Sequence, residues 1–142
     1  MTTLTFATKI NAPKEKVWDT LWNDSSYRKW TAAFMEGSYA ESDWKEGSKI
    51  LFLSPKGEGM FGIIQTKVPN EQMTFKHLGE IKNGIEEPKD WRDATESYYL
   101  NEINGVTELS VKLTMDANSE FEQYFNNTFP KALEILKQIS EP

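Results

Sequence analysis

The 142-residue sequence contains no cysteine. Disulfides, thiolate metal sites and cysteine nucleophiles are thereby excluded. It contains a single histidine, His77, so a multi-histidine metal centre is unavailable, and neither a metal nor a cofactor is expected. No stretch approaches the roughly 20 apolar residues of a membrane span. Residues 1–9 are mostly polar and do not resemble a secretory leader. These absences point to a cytoplasmic protein without membrane insertion. An excess of positive charge is also missing: 16 Lys and Arg stand against 22 Asp and Glu, for a net charge of −6. Counterion release cannot then drive binding to nucleic acid, and that partner class is set aside. A P-loop, a nucleophile elbow with its triad and a pair of carboxylates on an apolar face are likewise absent.

Aromatic residues are abundant, at 13%. Three of the five tryptophans fall in one stretch, INAPKEKVWDTLWNDSSYRKW, from Ile10 to Trp30. The length fits one domain over residues 1–142, which can bury a core without covalent staples. LTFATKIN, near the start, alternates as a strand. Pro13 suits the start of a helix, where its missing N–H costs nothing. Val17, Trp18, Leu21 and Trp22 then recur with helical spacing. Asp24 or Ser25 is placed to cap a second short helix carrying Tyr27 and Trp30.

From about residue 36 the period changes to two. EGSYAESD, KILFL, MFGIIQTKV, QMTFKHL, ESYYLNEI and VTELSVKLTM read as consecutive strands, the last two joined at Asn104-Gly105, a strong hairpin signal. Residues 79–94 show no period and many charges, and are expected to form a long loop pinned by Trp91. Its acidic residues Glu86, Glu87, Asp90 and Asp93 are diluted by Lys82, Lys89 and Arg92, which favours a solvated segment over a cation site. Ser119 to Glu122 reads as a capping box. It opens a long helix with Phe121, Phe125, Phe129, Leu133 and Leu136 on one face, and Pro130 is expected to kink it. A run of strands beside separate helices implies an α+β domain: an antiparallel sheet of about six to seven strands, covered on one face by the long C-terminal helix.

Few residues carry chemistry. Gly57 to Gly62 fits G-x-G-x-x-G, but the strand-like IIQTKV follows where a nucleotide site needs a helix. His77 shares a face with Met73 and Phe75 and is placed toward the interior, as a hydrogen-bonding anchor or a base. Tyr98 is in phase with Leu100 and also points inward, and its hydroxyl then needs a partner.

The segments INAPKEKVWDTL, YRKW, WKEGSKILF, GMFGIIQTKVPNEQMTFKH and NGVTELSVKL together make the chain resemble the START-like, or SRPBCC, superfamily of helix-grip proteins. More narrowly, it resembles the bacterial homologues of the activator of the ninety-kilodalton heat-shock chaperone ATPase. The resemblance implies a curved sheet gripping the C-terminal helix, with a cavity between them. Within such a cavity, the aromatic excess on inward phases, without a catalytic set, suggests a small-molecule binding protein whose apolar or aromatic ligand is lined by some of Trp30, Phe34, Phe52, Phe75, His77, Tyr98, Phe125 and Phe129. Two alternatives follow from the same resemblance. One is a co-chaperone role at a chaperone protein; the other is a cyclase- or hydrolase-like enzyme using His77, although no catalytic set is legible. A monomer or weak dimer is expected.

Overall fold

The computed structural model of the chain describes residues 2–91, 94–115 and 119–142, apart from the side chains of 119–121. The capping box at Ser119 to Glu122, the place of Phe121 on its helix, and Arg92 and Asp93 of the acidic segment lie outside the described residues. The element order is β1 (Thr2–Ile10), α1 (Lys14–Trp22), α2 (Asp24–Thr31), β2 (Tyr39–Glu41), β3 (Lys49–Leu53), β4 (Gly59–Val68), β5 (Gln72–Lys82), β6 (Ile85–Pro88), β7 (Thr95–Ile103), β8 (Val106–Met115) and α3 (Ser119–Ser140).

The strands form one eight-stranded antiparallel sheet in the order β1-β8-β7-β5-β4-β3-β2, with β6 paired to β5 beside this path. Leu4 and Phe6 of β1 stand opposite Leu113 and Val111 of β8. The alternation read in LTFATKI and VTELSVKLTM therefore turns one face of both strands toward α3. The face of α3 bearing Phe129, Ala132, Leu133 and Leu136 is buried. Its C-terminal end is tied down by polar contacts: Lys137 Nζ donates to the Lys9 carbonyl at 2.9 Å, and Asn11 N–H donates to Glu141 at 2.8 Å. α3 continues through Pro130 as a single helix.

Helix α1 buries all four residues of its expected face, Val17, Trp18, Leu21 and Trp22. The N-cap of α2 is Asn23, whose side chain accepts from Ser25 N–H, rather than Asp24 or Ser25. Burial of Trp30 is accompanied by a hydrogen bond from its indole N–H to the Leu21 carbonyl at 3.1 Å, which locks α2 onto α1.

The expected loop over residues 79–94 is corrected by the structure. β5 runs to Lys82, turns at Asn83-Gly84 with φ of +53° and +75°, and returns as β6. Every residue of β6 is exposed, so no buried face imposed an apolar alternation on the sequence. The readable sign was the Asn-Gly pair, the same device that joins β7 to β8. The Gly57–Gly62 motif is a hairpin leading into β4, as its context implied. Its glycines serve close strand approach: a Cβ on Gly59 would collide with the Phe52 carbonyl, and one on Gly62 with the Lys76 carbonyl.

Candidate functional site

The position of His77 follows from an irregularity in β5. Residues 72–76 of β5 pair with β7, and residues 79–82 pair with β6. His77 and Leu78 sit in the fork between them. On the other edge, Phe61 faces Gly79 and Gly62 faces His77, so Leu78 is an extra residue, a β-bulge. Bulges re-aim side chains. His77 keeps the inward phase of Met73 and Phe75 by ordinary alternation up to the bulge that follows it, and its N–H donates to the Ala94 carbonyl at 2.9 Å.

On β7, Glu96 is in phase with Tyr98 and Leu100, and it stands opposite Phe75. Its carboxylate is held at both oxygens. Tyr98 donates its hydroxyl to Oε2, and His77 Nε2 lies 3.0 Å from Oε1. A carboxylate only accepts, so Nε2 carries the hydrogen and Nδ1 points away from the pair. Nδ1 is buried without a hydrogen-bond partner among the described residues. The side chains of His77 and Glu96 are 11% and 20% exposed, a mostly dry setting in which charge-assisted hydrogen bonds offset the cost of burying a carboxylate. Burial, followed by the Glu96 charge, pushes the Tyr98 phenol well above its ordinary range. The same two causes, in the same order, raise Tyr27. Both phenols therefore stay neutral and able to donate.

Rings surround this polar group. Phe75 meets Phe52 at 5.2 Å, Trp22 at 5.3 Å and Tyr98 at 6.3 Å between centroids, mostly edge to face. The Phe52 ring lies 5.3 Å from the imidazole of His77. Trp44 closes the cluster against Trp22 at 5.8 Å. Its backbone takes φ of +62°, a conformation costing a bulky residue roughly 1–3 kcal/mol. Ring packing and a hydrogen bond from Lys67 Nζ to the Trp44 carbonyl at 2.6 Å hold it there.

A second aromatic cluster lies between α2 and α3. Phe129 stacks on Phe6 at 4.9 Å and meets Phe34 edge-on at the same distance. Phe125 and Tyr124 extend it outward. Trp30, 6.2 Å from Tyr98 and 5.4 Å from Tyr27, extends the first cluster onto α2.

The eight residues expected to line a cavity divide accordingly. Trp30, Phe75, Tyr98 and Phe129 are at most 2% exposed. A side chain with so little surface reachable by water borders no water-sized void in this conformation. Phe34, Phe52, His77 and Phe125 retain accessible surface. A cleft of about 170 Å³ opens elsewhere, at the outer edge of β1, against Pro130, Leu133 and Glu134 of α3. Glu96, Trp44, Trp22 and Tyr27 were not among the expected site residues. The phase of Glu96 with Tyr98 was the available signal for the first. Among the described residues, no group of three or more His, Asp or Glu is arranged to hold a metal. No helix there is long and apolar enough to cross a membrane.

Comparison with solved structures identifies the same architecture throughout. The solution structure of the Aha1 dimer from Colwellia psychrerythraea aligns with a TM-score of 0.78 and 21% identity, over 99% of this chain and 97% of that one. Protein MLL2253 from Mesorhizobium loti aligns at 0.73 and 15% identity, over 97% and 96%. CalU16 from Micromonospora echinospora aligns at 0.70 and 16% identity, over 99% and 76%. At these identities the likeness is one of fold, the helix-grip arrangement of an antiparallel sheet and a C-terminal helix. No curated protein matches the sequence. The family model described as "Activator of Hsp90 ATPase homolog 1-like protein" matches residues 11–141, and the chain belongs to that family.

Proposed function

We propose that the protein is a binding module for an apolar or aromatic small molecule, held between the inner face of the sheet and α3. The observation supporting this reading is the pair of buried ring clusters, which reach the surface at Phe52 and His77 in one and at Phe34 and Phe125 in the other. Ligand pockets are mainly apolar with a few placed polar groups, and the Tyr98–Glu96–His77 chain is such a group. A planar ligand would enter by displacing partly exposed rings such as Phe52 rather than by filling a preformed void. Residues 1–142 act as one unit in this reading.

The test is native mass spectrometry of gently purified protein, then extraction under denaturing conditions. A reproducible adduct released on denaturation supports the proposal. A clean mass, together with no quenching of tryptophan fluorescence by naphthalene up to its solubility, overturns it.

Family membership favours a second reading, action on a chaperone ATPase. Chaperone turnover unchanged by saturating amounts of the protein would remove it.

A further inference from the structure

Two buried polar atoms in the sheet-side ring cluster have no partner among the described residues: His77 Nδ1 and Trp22 Nε1. Such orphans are uncommon in folded proteins and each calls for a cause. They share a neighbourhood, since Phe75 packs against Trp22, and Phe52 packs against both Phe75 and His77. They are also of opposite kind. The indole can only donate. With Nε2–H turned to Glu96, an imidazole that carries this one proton offers a lone pair at Nδ1, where it can only accept.

We propose that His77 Nδ1 is the hydrogen-bond acceptor for a hydroxyl group carried by an aromatic ligand, and that Glu96 is the positioning residue that fixes the accepting tautomer. The inference rests on the binding reading above and names the ligand chemistry of that site. Its geometry has three parts. Glu96 is itself oriented by Tyr98, so the imidazole is held by a chain of two hydrogen bonds rather than by packing alone. The Leu78 bulge follows His77 directly, and Gly62 stands opposite it, where a Cβ would come within 3.1 Å of the His77 Cα. Phe52, only partly buried, covers the imidazole from the open side and is the ring that a planar ligand would displace. A hydroxyl supplies the donor that a lone pair at Nδ1 lacks. A hydrocarbon of the same shape would leave Nδ1 unpaired, so the site should distinguish the two by the cost of an unsatisfied buried group.

The chain has one histidine, so its imidazole nitrogens give an unambiguous ¹⁵N spectrum. The experiment titrates ¹⁵N-labelled protein with naphthalene and with 2-naphthol. The expected result is that 2-naphthol binds at least about tenfold more tightly. It should also move the Nδ1 resonance in the direction of hydrogen-bond acceptance while Nε2 stays protonated. Glu96→Gln should redistribute the two tautomers in the free protein and reduce the preference. His77→Phe should abolish the preference, and His77→Gln, which keeps an acceptor, should restore part of it. Equal affinities with an unmoved Nδ1 resonance would overturn the assignment and leave the binding reading standing. Failure of both compounds to bind would overturn both together.

Discussion

Two aromatic clusters lie on the same side of one sheet, and they are built differently. The cluster between α2 and α3, made by Phe6, Phe34, Phe125 and Phe129, is held by ring contacts, and its hydroxyl, on Tyr124, sits at the rim as a donor to the Phe34 carbonyl at 3.2 Å. The cluster over β5 and β7 has a carboxylate, an imidazole and a phenol among its rings. The first is what a hydrophobic core requires and no more. The second accepts the cost of partly burying Glu96, leaves two polar atoms without a partner among the described residues and keeps Trp44 in a strained backbone conformation. Local departures of this kind collect where a fold does something besides pack. The family and the fold locate both clusters in the grip; the polar chain singles out the sheet-side one.

The contrast can be tested by mutation. The largest effect is expected from Phe129→Ala, which removes a fully buried ring from the helix-side cluster and should cost about 3–5 kcal/mol in urea unfolding. A loss below about 1 kcal/mol would mean that this cluster is not close-packed. Gly62→Ala comes next, at about 1–3 kcal/mol, because its Cβ meets backbone rather than a yielding side chain. It should also shift the His77 ¹⁵N signals; an unchanged spectrum would show that the bulge does not position the imidazole.

The two tyrosine hydroxyls give a direct comparison. Tyr98→Phe leaves a mostly buried carboxylate oxygen without its donor and should cost about 1–3 kcal/mol at pH 7. Tyr124→Phe, at a side chain 44% exposed, should change stability by less than about 0.5 kcal/mol. Equal effects would erase the distinction between the clusters.

One effect appears only in alkali. Tyr27 and Tyr98 have folded values raised above the ordinary phenol value of 10.0, so the unfolded chain ionises first. The stability they contribute is fully present below pH 10 and is lost as pH rises past it, by about 1.4 kcal/mol per pH unit for each tyrosine. Alkaline unfolding followed by circular dichroism should therefore move to higher pH in Tyr27→Phe. A midpoint that does not move would mean that Tyr27 is not sealed in the folded state.

Much of the fold was legible because local period reports burial. Val17, Trp18, Leu21 and Trp22 read as one helical face and are one buried face. Tyr98 and Leu100 read as inward and Tyr99 as outward, and their exposures agree. The exposed β6 hairpin was illegible by period because neither of its faces is buried, and only Asn83-Gly84 marked it. The site was less legible. His77 was found by its phase. Glu96 lies nineteen residues farther along, on a strand whose alignment with β5 nothing nearby in the sequence specifies.

The sequence by itself determined the order of strands and helices apart from β6, the apolar face of most of them, and the absence of thiol chemistry, since each depends on residue type and short-range spacing. Tertiary structure decided that Glu96 meets His77 and Tyr98, that Nδ1 is left unpaired, and which rings are sealed and which reach the surface. Those outcomes depend on strand register, on the extra residue Leu78 and on the fork where β5 exchanges β7 for β6. Register is set by the sum of many cross-strand contacts, and no single segment of the chain carries it.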